Sequence, residues 1–223
     1  MRFSITSKRH FLFDLDGTLV DSNKFHGLAF REVLERSAPD RLAGFDYETV
    51  KGRATRAVFE GFGFKDEAQI TALTAAKQKA YSSAIGRNGL PLIRGAREIL
   101  DFLTLLDRKL HIVSAGSQRS VEEALRAAKI RHYFLSVTTS DDVTRSKPDP
   151  EIYRKCLETN NALAGDCLAI EDSDSGIAAS TGAGIDSVMV NFAGSAPCLP
   201  RCESYSSLAE FSIRTIEMFG VRQ

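Results

Sequence analysis

Five short runs rich in apolar and β-branched residues recur along this chain, near Phe11–Leu15, Leu110–Val113, Leu135–Thr138, Leu168–Ile170 and Ser187–Val190, with helical periodicity in the intervals. Strands alternating with helices predict a parallel sheet covered on both faces. The expected fold class is therefore α/β, a Rossmann-like doubly wound parallel sheet. In open sheets of this kind ligands bind outside the carboxyl ends of the strands. Those ends are where the sequence places its acids, its hydroxyls and a proline-flanked lysine.

The first run ends in Asp14-Leu15-Asp16-Gly17-Thr18. In a strand, residues i and i+2 share a face, so Asp14 and Asp16 are expected to aim at one small volume. Like charges so placed must share a proton or gather a cation. Hard oxygen ligands at a strand end suit magnesium, which takes one or two carboxylates and completes its shell with water and phosphate. A carboxylate is also a competent nucleophile towards phosphorus. Asp14 is the candidate nucleophile and Asp16 the candidate general acid and base. Taken alone, the segment reads equally well as a solvated Asp-Gly turn.

Three later segments change that balance. Val113-Ser114-Ala115-Gly116-Ser117 leads into an amphipathic stretch, and a helix starting there offers free N–H groups to phosphate oxygens. Ser120 and Glu123 have capping-box spacing, which predicts a helix start near Ser120. Ser146-Lys147-Pro148-Asp149-Pro150 holds one cation in a proline-stiffened turn, from which it can offset phosphate and carboxylate charge. The fourth apolar run opens into Glu171-Asp172-Ser173-Asp174-Ser175-Gly176. Asp172 there completes a metal site with Asp14 and Asp16, and Glu171 or Asp174 stands behind it to orient the ligands.

In order and spacing these segments (DLDGTLVDS at 14–22, VSAGS at 113–117, SKPDP at 146–150, EDSDSGIAASTGAG at 171–184) resemble the haloacid dehalogenase superfamily. The resemblance is to its phosphatase and phosphomutase branch, which carries a helical cap after the first strand. It implies that Asp14 attacks a phosphoryl group and that Asp16 protonates the leaving oxygen and then activates water. It further implies that Ser114 and Lys147, with Ala115 and Gly116 beside them, hold the phosphate, and that Asp172 binds magnesium. The Asp16 contribution to the metal is implied to be its backbone carbonyl. Asp16 also argues against carbon–halogen chemistry, since metal-free dehalogenases of the superfamily typically lack the second acid.

Between Ser22 and about Gly89 the pattern is helical, in Phe25–Ser37, Thr55–Gly61 and Glu67–Ile85. The expected organisation is a core from residues 1–21 and 90–223 with an all-α helical cap domain at 22–89. Cap residues facing substrate are expected among His26, Gly52, Arg53, Arg56 and Lys77; His26 and Lys77 resemble positions of the β-phosphoglucomutase-like branch. Hydrolysis of a small phosphomonoester, such as a sugar phosphate, is the leading reading. A phosphosugar mutase using the same nucleophile is the alternative. A catalytically silent binding protein fits poorly with intact Asp14, Asp16, Lys147 and Asp172.

The chain's 29 basic and 29 acidic residues leave a formal charge of zero, so nothing draws it to nucleic acid or an anionic membrane. A small phosphorylated metabolite is the expected partner, and the oligomeric state is not legible. No apolar stretch approaches spanning length, and a cytoplasmic location is the default expectation. Cys198 and Cys202 have a spacing that zinc could use, but no second pair completes it, and reduced thiols are the plainer reading.

Overall fold

The computed structural model describes residues 3–51, 53–191 and 200–220. Six strands, β1 (His10–Phe13), β2 (Lys109–Val113), β3 (Ser136–Thr138), β4 (Cys167–Glu171), β5 (Asp186–Met189) and β6 (Cys202–Ser204), form one sheet in the order β3-β2-β1-β4-β5-β6. Every pairing is parallel. The order turns outward in both directions from β1, as in doubly wound sheets, and places the carboxyl end of β1 between those of β2 and β4. The expected α/β class is what the structure has. Its sixth strand, three residues long at the edge, had no counterpart in the sequence reading.

Alternation along the central strands decides the two layers. Phe11 and Phe13 of β1 point into one apolar cluster, together with Leu168 and Ile170 of β4. Leu12 and Ala169 point into the other. Buried on both faces, these strands have to be apolar at nearly every position, and all four residues of β1 are buried. The first face is covered by α5 (Ala96–Leu105), α6 (Gln118–Ala127) and α9 (Leu208–Met218), the second by α7 (Glu151–Thr159) and α8 (Asp174–Gly182).

The stretch between β1 and α5 holds α1 (Asn23–Ser37), the short α2 (Pro39–Leu42), α3 (Thr55–Gly61) and α4 (Glu67–Asn88). Phe30, Val33, Leu34, Phe45, Phe59 and Ile70 form a cluster of their own here, separate from those on the sheet. Asp66 begins α4 by accepting a hydrogen bond from the Gln69 amide. No described helix is long and apolar enough to cross a membrane.

A polar thread crosses the first three strands. Asn160 donates to Ser136 Oγ (2.9 Å), which lies 2.8 Å from His111 Nδ1, and His111 Nε2 lies 3.0 Å from His10 Nδ1. His111 is fully buried. Burial, and then the charges of His10 and Lys109, push its pKa from 6.5 down to about 4. The unfolded chain therefore binds this proton first, and stability is lost as pH falls from about 6.5 towards 4. Between pH 7 and 5 the loss from this one group is about 2 kcal/mol. Denaturant unfolding at the two pH values should show a shallower dependence in His111→Asn, and an identical slope would assign the effect to other groups.

Candidate active site

Asp14 follows β1 directly, and its amide donates to Ile170 O of β4 (3.0 Å), which carries the sheet pairing one residue past the strand. The chain then folds back on itself. The amides of Leu19 and Val20 both donate to Leu15 O, and the Gly17 amide donates to Val20 O. Gly17 has φ 84°, and a Cβ there would stand 2.1 Å from Asp172 Oδ2. Glycine is thus required twice, by the left-handed backbone and by the close approach of this loop to the third acid.

The two acids of the first motif bind different partners. Because β1 ends at Phe13, the two-residue period does not reach Asp16. The Asp16 carboxylate accepts instead from Ser22 Oγ (2.5 Å) and His26 Nε2 (3.2 Å). The expectation that the Asp14 and Asp16 side chains share one cation is corrected accordingly. The described carboxylates that do converge are those of Asp14, Glu171 and Asp172, each offering an oxygen within 4.8 Å of the others. Glu171, expected behind the ligands, belongs to this group.

Lys147 ties the cluster together. Its ammonium donates to Asp14 Oδ1 (2.7 Å) and Val113 O (2.8 Å) and lies 2.6 Å from Glu171 Oε1. Tyr153 donates its hydroxyl to the same Glu171 oxygen. Burial opposes the charge on Lys147, but Asp14 and then Glu171 hold it firmly protonated. A second lysine, Lys51, lies 2.8 Å from Asp172 Oδ2. Three carboxylates thus face two ammonium groups, and burial pushes the pKa of all three acids up. Among the described residues Glu171 Oε2 has no hydrogen-bond partner. A buried set of hard oxygen donors short of positive charge fits a divalent cation.

The second motif stands beside this cluster, since Lys147 donates to Val113 O, one residue before Ser114. Ser114 is buried at the end of β2, and its Oγ accepts from the Gly116 amide (3.1 Å). The helix begins at Gln118, and its cap is Ser117, which accepts from the Ser120 amide. The helix thus starts two residues before Ser120, near where it was expected, but its cap is Ser117 and not Ser120. Glu123, expected to close the capping box, instead binds Arg119 (3.0 Å) and accepts from Ser82 of α4.

α1 and α4 close the other side of a cavity of about 260 Å³, lined by Asp14, Asp16, Ser114, Ala115, Gly116, Lys147 and Asp172 below and by His26, Lys51, Arg53, Lys77 and Tyr81 above. Lys77 is buried, with Nζ 2.8 Å from His26 Nδ1 and over the rings of Phe30 and Tyr81. A lysine donating to Nδ1 leaves the proton of a neutral imidazole on Nε2, from which it donates to Asp16. Burial brings Lys77 down to about 8 and also lowers His26. Burial works to raise the Asp16 pKa, but His26, then Ser22 and Lys77, outweigh it and hold the group at about 2.

Two candidates separate here. The Arg56 guanidinium is engaged by Glu60 (2.9 Å) and Glu67, whereas that of Arg53 is paired with none of the described residues. Gly52 lies outside the described residues, as does Cys198 and with it the Cys198–Cys202 spacing. Lys51 went unnoticed in the sequence, where nothing distinguishes it from other surface lysines.

A family model described as haloacid dehalogenase-like hydrolase matches residues 11–190. The chain is 30% identical over 189 residues to the fructose-1-phosphate phosphatase YqaB of Escherichia coli, covering 80% of this chain and 94% of that one. It is 28% identical over 188 residues to the beta-phosphoglucomutase of Bacillus subtilis, covering 80% and 81%. The crystal structure of CbbY from Rhodobacter sphaeroides in complex with phosphate superimposes with a TM-score of 0.79 at 22% identity, over 92% of this chain and 96% of that one.

Proposed function

The chain belongs to the haloacid dehalogenase-like hydrolases, and on that basis we propose that it hydrolyses a small phosphomonoester of the sugar-phosphate kind through a phosphoryl group carried on Asp14. The observation that carries this reading is the buried, under-neutralised group of Asp14, Glu171 and Asp172, with Lys147 bridging Asp14 and Glu171, at a cavity that Ser114 also lines. The names of the two curated relatives agree with a phosphorylated sugar.

Lys147 engages Asp14 Oδ1, which leaves Oδ2 free to attack phosphorus. Asp16 takes up a proton as the anionic ester binds beside it, and gives it to the departing ester oxygen as the new bond joins Asp14 to phosphorus. In the second half Asp16, ionised again, takes a proton from the water that attacks the phosphoryl group and frees Asp14. Ser114 and the amides at the start of α6 hold the phosphate oxygens, and Lys147 offsets their charge. Magnesium held by Asp14 and Asp172 supplies, when bound, the positive charge that this cluster lacks.

With a pKa near 2, Asp16 is ionised at rest and a strong acid once protonated. His26 and Lys77 set that balance. Activity should therefore fall above about pH 8, where Lys77 loses its proton. Lys77→Met should lower kcat about 10–100-fold and lack that alkaline limb. A limb that persists in the variant would place the titration elsewhere.

Residues 22–89 act in this reading as a cap over the site. Its support is the separate apolar cluster under α1, α3 and α4, together with polar contacts between this segment and the rest, among them His26 with Asp16, Lys51 with Asp172, Ser82 with Glu123, and Gln78 donating to Ser117 Oγ (3.0 Å). Closing such a lid excludes water and strengthens each charge interaction beneath it.

Phosphate release from a panel of phosphorylated metabolites, with magnesium and after chelation, tests the proposal. Release that is lost on chelation and restored by magnesium is expected; release indifferent to chelation would overturn the metal's part. The His26–Lys77 arrangement also favours a second reading, a phosphosugar mutase that returns the phosphoryl group of Asp14 to a sugar hydroxyl. Isomerised sugar phosphate in place of free phosphate distinguishes it.

A further inference from the structure

The cavity wall built by α1 and α4 carries polar atoms that phosphoryl transfer leaves unused. Tyr81 is 1% exposed, and its ring stacks on His26 with centroids 4.1 Å apart, yet its hydroxyl has no hydrogen-bond partner among the described residues. Thr74 Oγ1, seven residues earlier and so on the same face of α4, is also buried and unpartnered. Asn23 Oδ1, at the start of α1, is a third such atom. All three residues line the cavity beside Asp14 and Asp16.

Buried polar groups are nearly always paired, and each one left unpaired is penalised. Three in a single cavity wall mark a surface completed by what the cavity receives. The chemistry of that occupant follows from the atoms. Tyr81 and Thr74 can each donate and accept, whereas an amide oxygen only accepts, so the matching groups must include donors. A second phosphate or carboxylate offers none. A hydroxyl offers both. Burial, with the Asp16 charge, keeps the Tyr81 hydroxyl in its neutral form throughout the working range.

We infer that Tyr81, Thr74 and Asn23 form a recognition subsite for the hydroxyl groups of the leaving alcohol, so that this enzyme selects polyol phosphates over phosphomonoesters without hydroxyls. The inference rests on the phosphomonoester reading above and adds the residues that choose among such esters.

The test compares kcat/KM for glucose 1-phosphate and other hexose and pentose phosphates with kcat/KM for p-nitrophenyl phosphate, in the wild-type chain, Tyr81→Phe and Thr74→Val. The wild type should prefer its best polyol phosphate by at least about tenfold, and each variant should lower that preference about tenfold or more. Preference within twofold of wild type in both variants would overturn the subsite. So would a wild type that turns over p-nitrophenyl phosphate as well as every polyol phosphate, a result that leaves the phosphatase reading standing. No phosphate from any ester, wild type included, would overturn that reading and the subsite with it.

Thermal melting separates recognition from structure. Removing a hydroxyl that has no partner should leave the melting temperature of Tyr81→Phe unchanged or raise it. A fall of more than about 4 °C would mean that the hydroxyl stabilises the fold, and would overturn the assignment.

Discussion

Asp14→Asn should abolish turnover, lowering kcat by about 10⁴-fold or more, the scale on which loss of a nucleophile is felt. The amide is nearly the same size and can still accept from Lys147 through its oxygen, so the site keeps its shape, but its nitrogen has no lone pair to offer phosphorus. The same change removes one of three buried acids whose pKa values burial has pushed up. Metal-free protein should for that reason melt no lower than wild type. Steady-state kinetics on the best substrate and a melting curve measure both effects. Activity within tenfold of wild type would remove Asp14 from the chemistry.

Lys147→Met should cost both activity and stability, because one ammonium serves Asp14 and Glu171 at once. Its side chain is 3% exposed, so solvent cannot replace it. Removing one partner of a buried ion pair costs about 3–5 kcal/mol, since the opposite charges are left uncompensated. Catalysis should fall about 10³-fold as the counter-charge to phosphate is lost. The stability loss carries a pH signature. With Lys147 gone, Asp14 and Glu171 titrate higher still in the folded state than when unfolded, so the folded variant binds more protons and its stability declines as pH rises. Denaturant unfolding should find the gap to wild type wider at pH 8 than at pH 5. A gap under about 1 kcal/mol at both pH values would mean that the ammonium is not the buried counter-ion its contacts describe.

The sheet was legible because its signal is local. Each central strand is buried on both faces, so it reads as an apolar run whatever surrounds it, and Phe11-Leu12-Phe13 shows this. The short edge strand Cys202–Ser204 carries no such run and was not seen. The cluster's acids were legible as residues, since each follows an apolar run. Their directions were not. Strand β1 ends at Phe13 and the Asp16 carboxylate is taken up by Ser22 and His26, so the two-residue period on which their pairing was argued does not hold.

What escaped the sequence entirely is non-local. Lys51 meets Asp172 and Gln78 meets Ser117 only because the helices fold over the sheet. The sorting of the two arginines lay partly within reach, because Arg56 and Glu60 stand four apart on one helix, a spacing that pairs charges. The unpaired hydroxyl of Tyr81 was out of reach, because an unmet hydrogen bond is a property of packing and leaves no mark in the order of residues.

A rapid-quench experiment reaches the chemistry of Asp14 directly. Enzyme in excess is mixed with a turned-over phosphomonoester and magnesium, stopped in acid, reduced with borohydride and digested for peptide mass analysis. Reduction of an acyl phosphate should convert Asp14, and no other residue, to homoserine, with no conversion in Asp14→Asn. Conversion at a different residue, or none anywhere while phosphate is being released, would contradict a phosphoryl group carried on Asp14.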